Sequence, residues 1–151
     1  MIIVKNKDLL DKYISTTGIS RLFSQDISNL LELFSLEKGD FLINEGECSD
    51  YLFFLVNGKL KVFSHSTSGK IMSLSLFNSF QIIGETCSLW NKPPTASVQA
   101  TCKTYCIGIS MQYRDLLLND IVFLRYICQN LGDKLSYMNN NTCIDFYYKN
   151  N

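Results

Sequence analysis

The chain has 151 residues, 46% of them hydrophobic and 19% charged, with fourteen basic residues against fourteen acidic ones. That is enough for one domain with a sizeable core, and the balance excludes a disordered chain. A net charge of zero, with no run of lysine or arginine, argues against a nucleic-acid-binding face within these residues, because phosphate contacts need basic surface.

The opening MIIVKNKDLLDKY has too short an apolar run and too many early charges for a signal peptide. No stretch reaches the roughly 18 consecutive apolar residues of a membrane span, so the expected location is cytoplasmic. Leu9, Leu10, Tyr13 and Ile14 fall on one helical face, and Ser20 to Phe23 fit a single helical turn. From Asn29 the period changes. LLELFSL, then Gly39-Asp40, then FLIN read as short strands broken by a turn. A polar loop, EGECSD, leads into YLFFLV, followed at once by Asn57-Gly58 and KLKVFSHS. Asn-Gly tolerates the positive φ angles of a type I′ turn, which predicts a hairpin of Tyr51–Val56 with Lys59–Ser66. Ser68-Gly69 marks another turn before KIMSLSLF; QIIG is a short strand, and SVQATCKTYCIGI supplies one or two more. About eight short strands with regular turns define a β-sandwich, jelly roll or barrel.

The period changes again after the last strand. MQYRDLLL reads as a short helix, and Asp120 is placed to cap a longer one from Ile121 to about Met138. In that helix Ile121, Leu124, Cys128, Leu131, Leu135 and Met138 are spaced 3, 4, 3, 4, 3, a heptad seam suited to pairing with a second copy. Gly132 weakens the seam by about 1 kcal/mol relative to alanine, and three heptads need help from sheet contacts. The alternative is that the stripe docks on the β domain. The organisation is thus 1–110, N-terminal helices and β-roll; 111–140, short and long helices; and 141–151, a tail that reads as a frayed end or a joint to a further segment.

The six cysteines, Cys48, Cys87, Cys102, Cys106, Cys128 and Cys143, include no C-x-x-C pair and read as small reduced hydrophobes. Four residues along a strand span about 13 Å, so Cys102 and Cys106 are not expected to pair.

The ordered set Gly39-Asp40, Glu45-Gly46-Glu47, YLFFLVNGKLKV with Gly58, Gly69, Gly84-Glu85 and ASVQA resembles the cyclic-nucleotide-binding fold of Crp/Fnr transcription regulators. The resemblance runs from about Leu36 to Leu135. RDLLLNDIVFLRYICQNLGDK looks like the YeiL-like branch of that family. It implies a mainly β fold with flanking helices: a jelly roll, or double-stranded β-helix, followed by a long dimerisation helix. In members that bind cyclic AMP, Gly-Glu opens a short helix whose backbone N–H groups suit a phosphate. The Glu accepts a hydrogen bond from the ribose, and an Arg-Ser or Arg-Thr pair closes the phosphate clamp. The resemblance therefore implies ligand-binding roles for Gly84, Glu85, Thr86 and Thr95.

Three departures qualify this. The clamp arginine aligns with Pro94, which has neither charge nor N–H, and Pro93 removes a second donor. Lys92 is nearby, but an ammonium does not reproduce a guanidinium fork. The Thr-Ser pair that meets the base in cyclic-AMP-binding members aligns with Met138 and Asn139, of which only Asn139 suits a base edge. Finally, family regulators continue into a helix-turn-helix domain that reads the major groove, and this chain stops before one would fit. It reads as a fragment or a stand-alone sensor.

An enzyme of the cupin kind needs several histidines on its metal, and the single His65, beside a hairpin turn, cannot build that site. No catalytic residue, metal site or cofactor is expected. Oxygen sensors of the family carry cysteines before the roll, whereas residues 1–47 contain none; Cys87, beside the pocket helix, is the remaining redox candidate. The expected function is the sensing and homodimerising domain of a Crp/Fnr-like regulator. It contacts DNA only through an absent C-terminal domain, has no membrane partner and does not respond to cyclic AMP. The alternatives are a redox or iron–sulfur sensor and a ligand-free β-roll interaction module, in which Glu85 merely satisfies loop N–H groups.

Overall fold

A computed structural model describes residues 1–150, with side chains described for all of these except Ser73 and residues 137–150. After a two-residue strand β1 (Ile2–Ile3) comes helix α1 (Lys7–Thr17). Asn6 caps α1, its side chain accepting from Leu9 N–H at 3.1 Å. Short 3₁₀ turns at Ile19–Leu22 and Ser28–Leu30 then lead into the roll. Its strands are β2 (Leu31–Leu36), β3 (Phe41–Ile43), β4 (Tyr51–Asn57), β5 (Leu60–His65), β6 (Ile71–Phe77), β7 (Gln81–Ile83), β8 (Ser97–Ala100) and β9 (Thr104–Ser110). Helix α2 (Glu85–Trp90) sits between β7 and β8, and α3 (Arg114–Leu118) and α4 (Ile121–Asn150) complete the order.

Two antiparallel sheets stack, one ordered β1-β2-β9-β4-β7 and the other β3-β8-β5-β6. The uninterrupted run of apolar residues in β4 has a direct cause. Leu52 and Phe54 point to the helices, with Ile19, Phe23, Ile107, Leu117, Phe123 and Ile127. Phe53 and Leu55 point to the second sheet, with Phe34, Leu42, Leu60, Val98 and Cys106. A strand covered on both faces loses its polar alternation. The second sheet is covered on one side only, and its edge strand β6 leaves Met72, Leu74 and Leu76 largely exposed.

The link between β4 and β5 differs from the expected hairpin. β4 pairs with β9 and β7, whereas β5 pairs with β6 and β8, so the chain crosses from one sheet to the other at Asn57-Gly58. Asn57 keeps a negative φ, and only Gly58 turns positive, at 109°. A type I′ turn needs positive φ at both residues. Gly58 serves a close approach instead: a Cβ there would lie 2.4 Å from Thr104 Oγ1 and 2.7 Å from Thr104 Cα. Ser68-Gly69 does close a hairpin, between β5 and β6, with Gly69 N–H donating to Ser66 O at 2.9 Å.

Asp120 caps α4 as the sequence suggests. Its Oδ1 accepts from Val122 and Phe123 N–H at 3.0 and 3.2 Å, and its Oδ2 accepts from Ser24 N–H at 2.8 Å. Burial alone would raise this carboxyl; the three backbone donors outweigh it and hold it below the usual carboxylate range. Phe123 then stacks on Phe23 with ring centroids 5.1 Å apart. α4 runs past the expected end near Met138 to Asn150, taking in the residues expected to fray. The triple Asn lowers propensity by only tenths of a kcal/mol per residue, and no proline stops the helix.

Two glycine substitutions should act in opposite directions. Gly58→Ala is expected to cost about 3 kcal/mol, from the left-handed backbone and the clash with Thr104. Gly132→Ala, in open space on an exposed helix, is expected to gain about 0.5–1 kcal/mol. Urea denaturation followed by circular dichroism measures both.

Candidate functional site

β7 delivers the chain into Gly84, whose φ of 78° permits the sharp entry into α2. A Cβ at Gly84 would meet Ile43 Cδ1 at 2.8 Å. α2 is then pinned from behind. Leu89 is fully buried, and Ser88 Oγ donates to Tyr51 O at 2.9 Å. Arg114 donates through Nε and Nη2 to Ser88 O, at 3.3 and 2.9 Å, placing a cation at the C-terminal end of the helix. Asn91 ends α2 in the left-handed conformation, and Lys92 N–H closes onto Cys87 O at 2.9 Å.

In front of α2 lies a cleft of about 1110 Å³. Gly84, Glu85, Thr86 and Cys87 form one wall, and Pro94, Thr95 and Ala96 form a second. Leu74 and Leu76 of β6 line the mouth, Val62, Ile83 and Val98 form the floor, and α4 closes the far side from Asn130 to Leu135. The sequence-derived residues Gly84, Glu85, Thr86 and Thr95 thus share one cavity. Asn139, and Met138 of the seam, lie outside the residues whose side chains are described.

Pro94 is buried, and its carbonyl accepts from Gly46 N–H at 2.8 Å, so the residue fastens the loop and offers no charge. Lys92 is exposed and does not line the cleft. The cation that does is Lys134 of α4, the only one among the described lining residues. Its Nζ lies 2.7 Å from Glu85 Oε1, and Glu85 is only 5% exposed. Sequence reasoning missed this pair because its members are 49 positions apart, on elements whose docking no local pattern reveals. Tyr126, one α4 turn from Asn130, has its phenol pushed up by burial and by the Glu85 charge. Asn130 Oδ1 is buried, with no hydrogen-bond partner among the described residues. The cleft can therefore offer a carboxylate to a hydroxyl, one ammonium and an aliphatic wall. Among the described side chains it offers no guanidinium.

α4 docks through Phe123 and Ile127, which are fully buried, with Leu131 half-buried beside them. Ile121 and Leu135 are each 58% exposed, Cys128 is exposed and Leu124 is half-buried. At about 100° per residue, the Ile121–Leu124–Cys128–Leu135 stripe lies roughly a quarter-turn from the docked face. Leu131 borders both.

Of the thiols, Cys87 is half-buried on the cleft wall, with Thr86 Oγ1 3.9 Å from its sulfur. Cys102 precedes β9, and Cys106 lies within it between the sheets. His65 ends β5, its Nδ1 3.7 Å from Glu45 Oε2. Among the described residues no three His, Cys, Asp or Glu side chains cluster as metal ligands, and no helix is long and apolar enough to cross a membrane.

A double-sheet roll with Gly-Glu opening a helix onto a cleft, and a long helix behind it, defines a regulatory ligand-binding fold. Residues 33–119 match the cyclic nucleotide-binding domain, and the chain belongs to that family. It is similar to the regulatory protein YeiL of Escherichia coli O157:H7, at 30% identity over 121 residues, which are 80% of this chain and 55% of that protein. The chain therefore spans little more than half the length of that relative. Among solved structures it is similar to the catabolite activator protein of Thermus thermophilus, with a TM-score of 0.59 at 19% identity, covering 94% of this chain and 59% of the other. It is also similar to the regulatory subunit of a cAMP-independent protein kinase A from Trypanosoma cruzi bound to guanosine, with a TM-score of 0.61 at 17% identity, covering 86% and 50% respectively. These structures share its fold.

Burial pushes the Cys106 thiol up to about 12, and the thiolate is the reactive form. At pH 8, iodoacetamide should therefore modify the exposed Cys48 in the native protein and leave Cys106 untouched until denaturant is added. Peptide mass spectrometry reads the difference.

Proposed function

We propose that this chain is the effector-sensing and dimerising domain of a Crp/Fnr-like transcription regulator, acting on a DNA-binding domain outside these residues, and that its effector is not cyclic AMP. The observation that carries the ligand half of this reading is the cleft itself. It is lined by Glu85, a carboxylate able to accept from a hydroxyl, and by buried Pro94, which the sequence resemblance aligns with the clamp arginine. A charge-assisted hydrogen bond contributes about 1.5–3 kcal/mol, so its loss weakens phosphate binding by tenfold to a hundredfold. An effector without a phosphate suits such a site, and the Trypanosoma cruzi regulatory subunit, which is similar in fold, is bound to guanosine. Similarity to YeiL supports the regulator half. Support for dimerisation comes from the α4 stripe, whose apolar side chains stay exposed while the neighbouring face docks on the roll. In a symmetric dimer, occupancy of the cleft would shift α4 and so the spacing of two DNA-reading domains.

Thermal unfolding with added cyclic AMP or cyclic GMP tests the ligand half. A true ligand at a hundred times its Kd stabilises by about 2.7 kcal/mol, and neither cyclic nucleotide should approach this. A saturable shift with cyclic AMP overturns the reading. Sedimentation at micromolar concentration tests the dimer. The expected species is a dimer that Leu135→Glu dissociates; a monomer, or a dimer indifferent to both Leu135→Glu and Ile121→Glu, overturns it.

A further inference from the structure

The Glu85–Lys134 pair joins the cleft wall to the long helix, and neither the fold nor the family match assigns it a role. We propose that this pair is the recognition head of the cleft, that it selects an uncharged ligand with hydroxyl groups on an apolar body, and that Lys134 passes occupancy to α4. This rests on reading the cleft as the effector site.

Charge carries the first part. The described lining residues hold two carboxylates, Glu85 and Asp133, against the single ammonium of Lys134. That ammonium is already committed, 2.7 Å from Glu85 Oε1. An entering anion meets a cleft of net negative charge. To gain a cationic partner it must also draw Lys134 away, leaving Glu85 buried and unpaired, which is the costliest state for a carboxylate. A neutral hydroxyl requires neither. It donates to the carboxylate while the ion pair stays intact, and no hydrogen bond among the described residues reaches Glu85 Oε2.

A second, independent observation lies one turn earlier on α4. The Asn130 amide oxygen is buried on the same cleft with no partner among the described residues. A buried acceptor left unpaired is unfavourable, and turning the Asn130 side chain toward a ligand N–H or O–H donor would satisfy it. The remaining wall is aliphatic, with Val62, Leu74, Leu76, Ile83, Leu131 and Leu135. A nucleoside combines these demands: a ribose diol for Glu85, a donor edge for Asn130 and a flat apolar face for the leucines.

Geometry carries the coupling. Lys134 sits on α4 between Leu131 and Leu135, so a ligand that reorients Glu85 acts on that helix through one ion pair. Lys134 is a positioning residue: it holds and neutralises the carboxylate that the ligand touches.

The test measures adenosine, guanosine, cyclic AMP and cyclic GMP binding to the full chain by calorimetry, with hydrogen exchange followed over residues 128–136. In the wild type, at least one nucleoside should bind about tenfold or more tighter than its cyclic phosphate and slow exchange in that segment. Lys134→Met should weaken nucleoside binding by about tenfold and abolish the slowing, while Lys134→Arg restores both. Should Lys134→Met not fold, Lys134→Gln replaces it. Cyclic AMP binding that is tighter than adenosine binding and lost in Lys134→Met would instead make Lys134 a phosphate clamp and overturn the proposal. Undiminished binding and slowing in Lys134→Met would also overturn it. If none of the four compounds binds the wild type, the ligand class is wrong, while the sedimentation result still decides the dimer reading.

Discussion

The five-stranded sheet is buried on both of its faces, and the rest of the molecule follows from that demand. Phe53 and Leu55 need a second sheet; Leu52 and Phe54 need helices. Each pair is satisfied by a separate hydrophobic cluster, and β4 belongs to both. The chain must therefore leave β4 for the other sheet, and Gly58 makes that passage in contact with Thr104. It must also return helices to the outer face, which α1, α3 and the first turns of α4 accomplish. Asp120 and the Phe23–Phe123 stack fix where α4 starts. Everything further along α4, including the far wall of the cleft, inherits its position from that anchor.

Within this frame the walls of the cleft are held from outside it. Gly84 makes its close approach to Ile43, and α2 is held from behind by Tyr51 and Arg114. Pro94 fastens the loop, with its carbonyl accepting from Gly46 N–H. The charge that faces Glu85 comes from α4, through Lys134. The one cation among the described lining residues stands on α4, and a cation on α4 is tied to whatever α4 does.

The readability of these features in the sequence depends on how local their causes are. Asp120 as a cap, Ser68-Gly69 as a turn and the strand runs are set by neighbouring residues, and each stands where the pattern places it. Gly84, Glu85, Thr86 and Thr95 converge because an ordered series of short markers specifies the whole roll. Asn57-Gly58 misleads because the same dipeptide serves a tight turn or a close crossing, and the choice rests with Thr104, which is distant in sequence. Ser88, Arg114 and Lys134 were not legible, since their roles exist only after α2, α3 and α4 dock. The continuation of α4 past Met138 was missed for a different reason: low helix propensity weakens a helix without ending it, and no stop signal follows.

The ion pair between Glu85 and Lys134 has a consequence for the helix as well as for the cleft. Thermodynamic coupling has no preferred direction. If filling the cleft alters how α4 meets a neighbour, then a neighbour that grips α4 alters the affinity of the cleft by the same factor. A domain wired this way reads its own state of assembly. At equal effector concentration, a crowded, paired population and a dilute, single one would answer differently, with no change in any residue that touches the ligand.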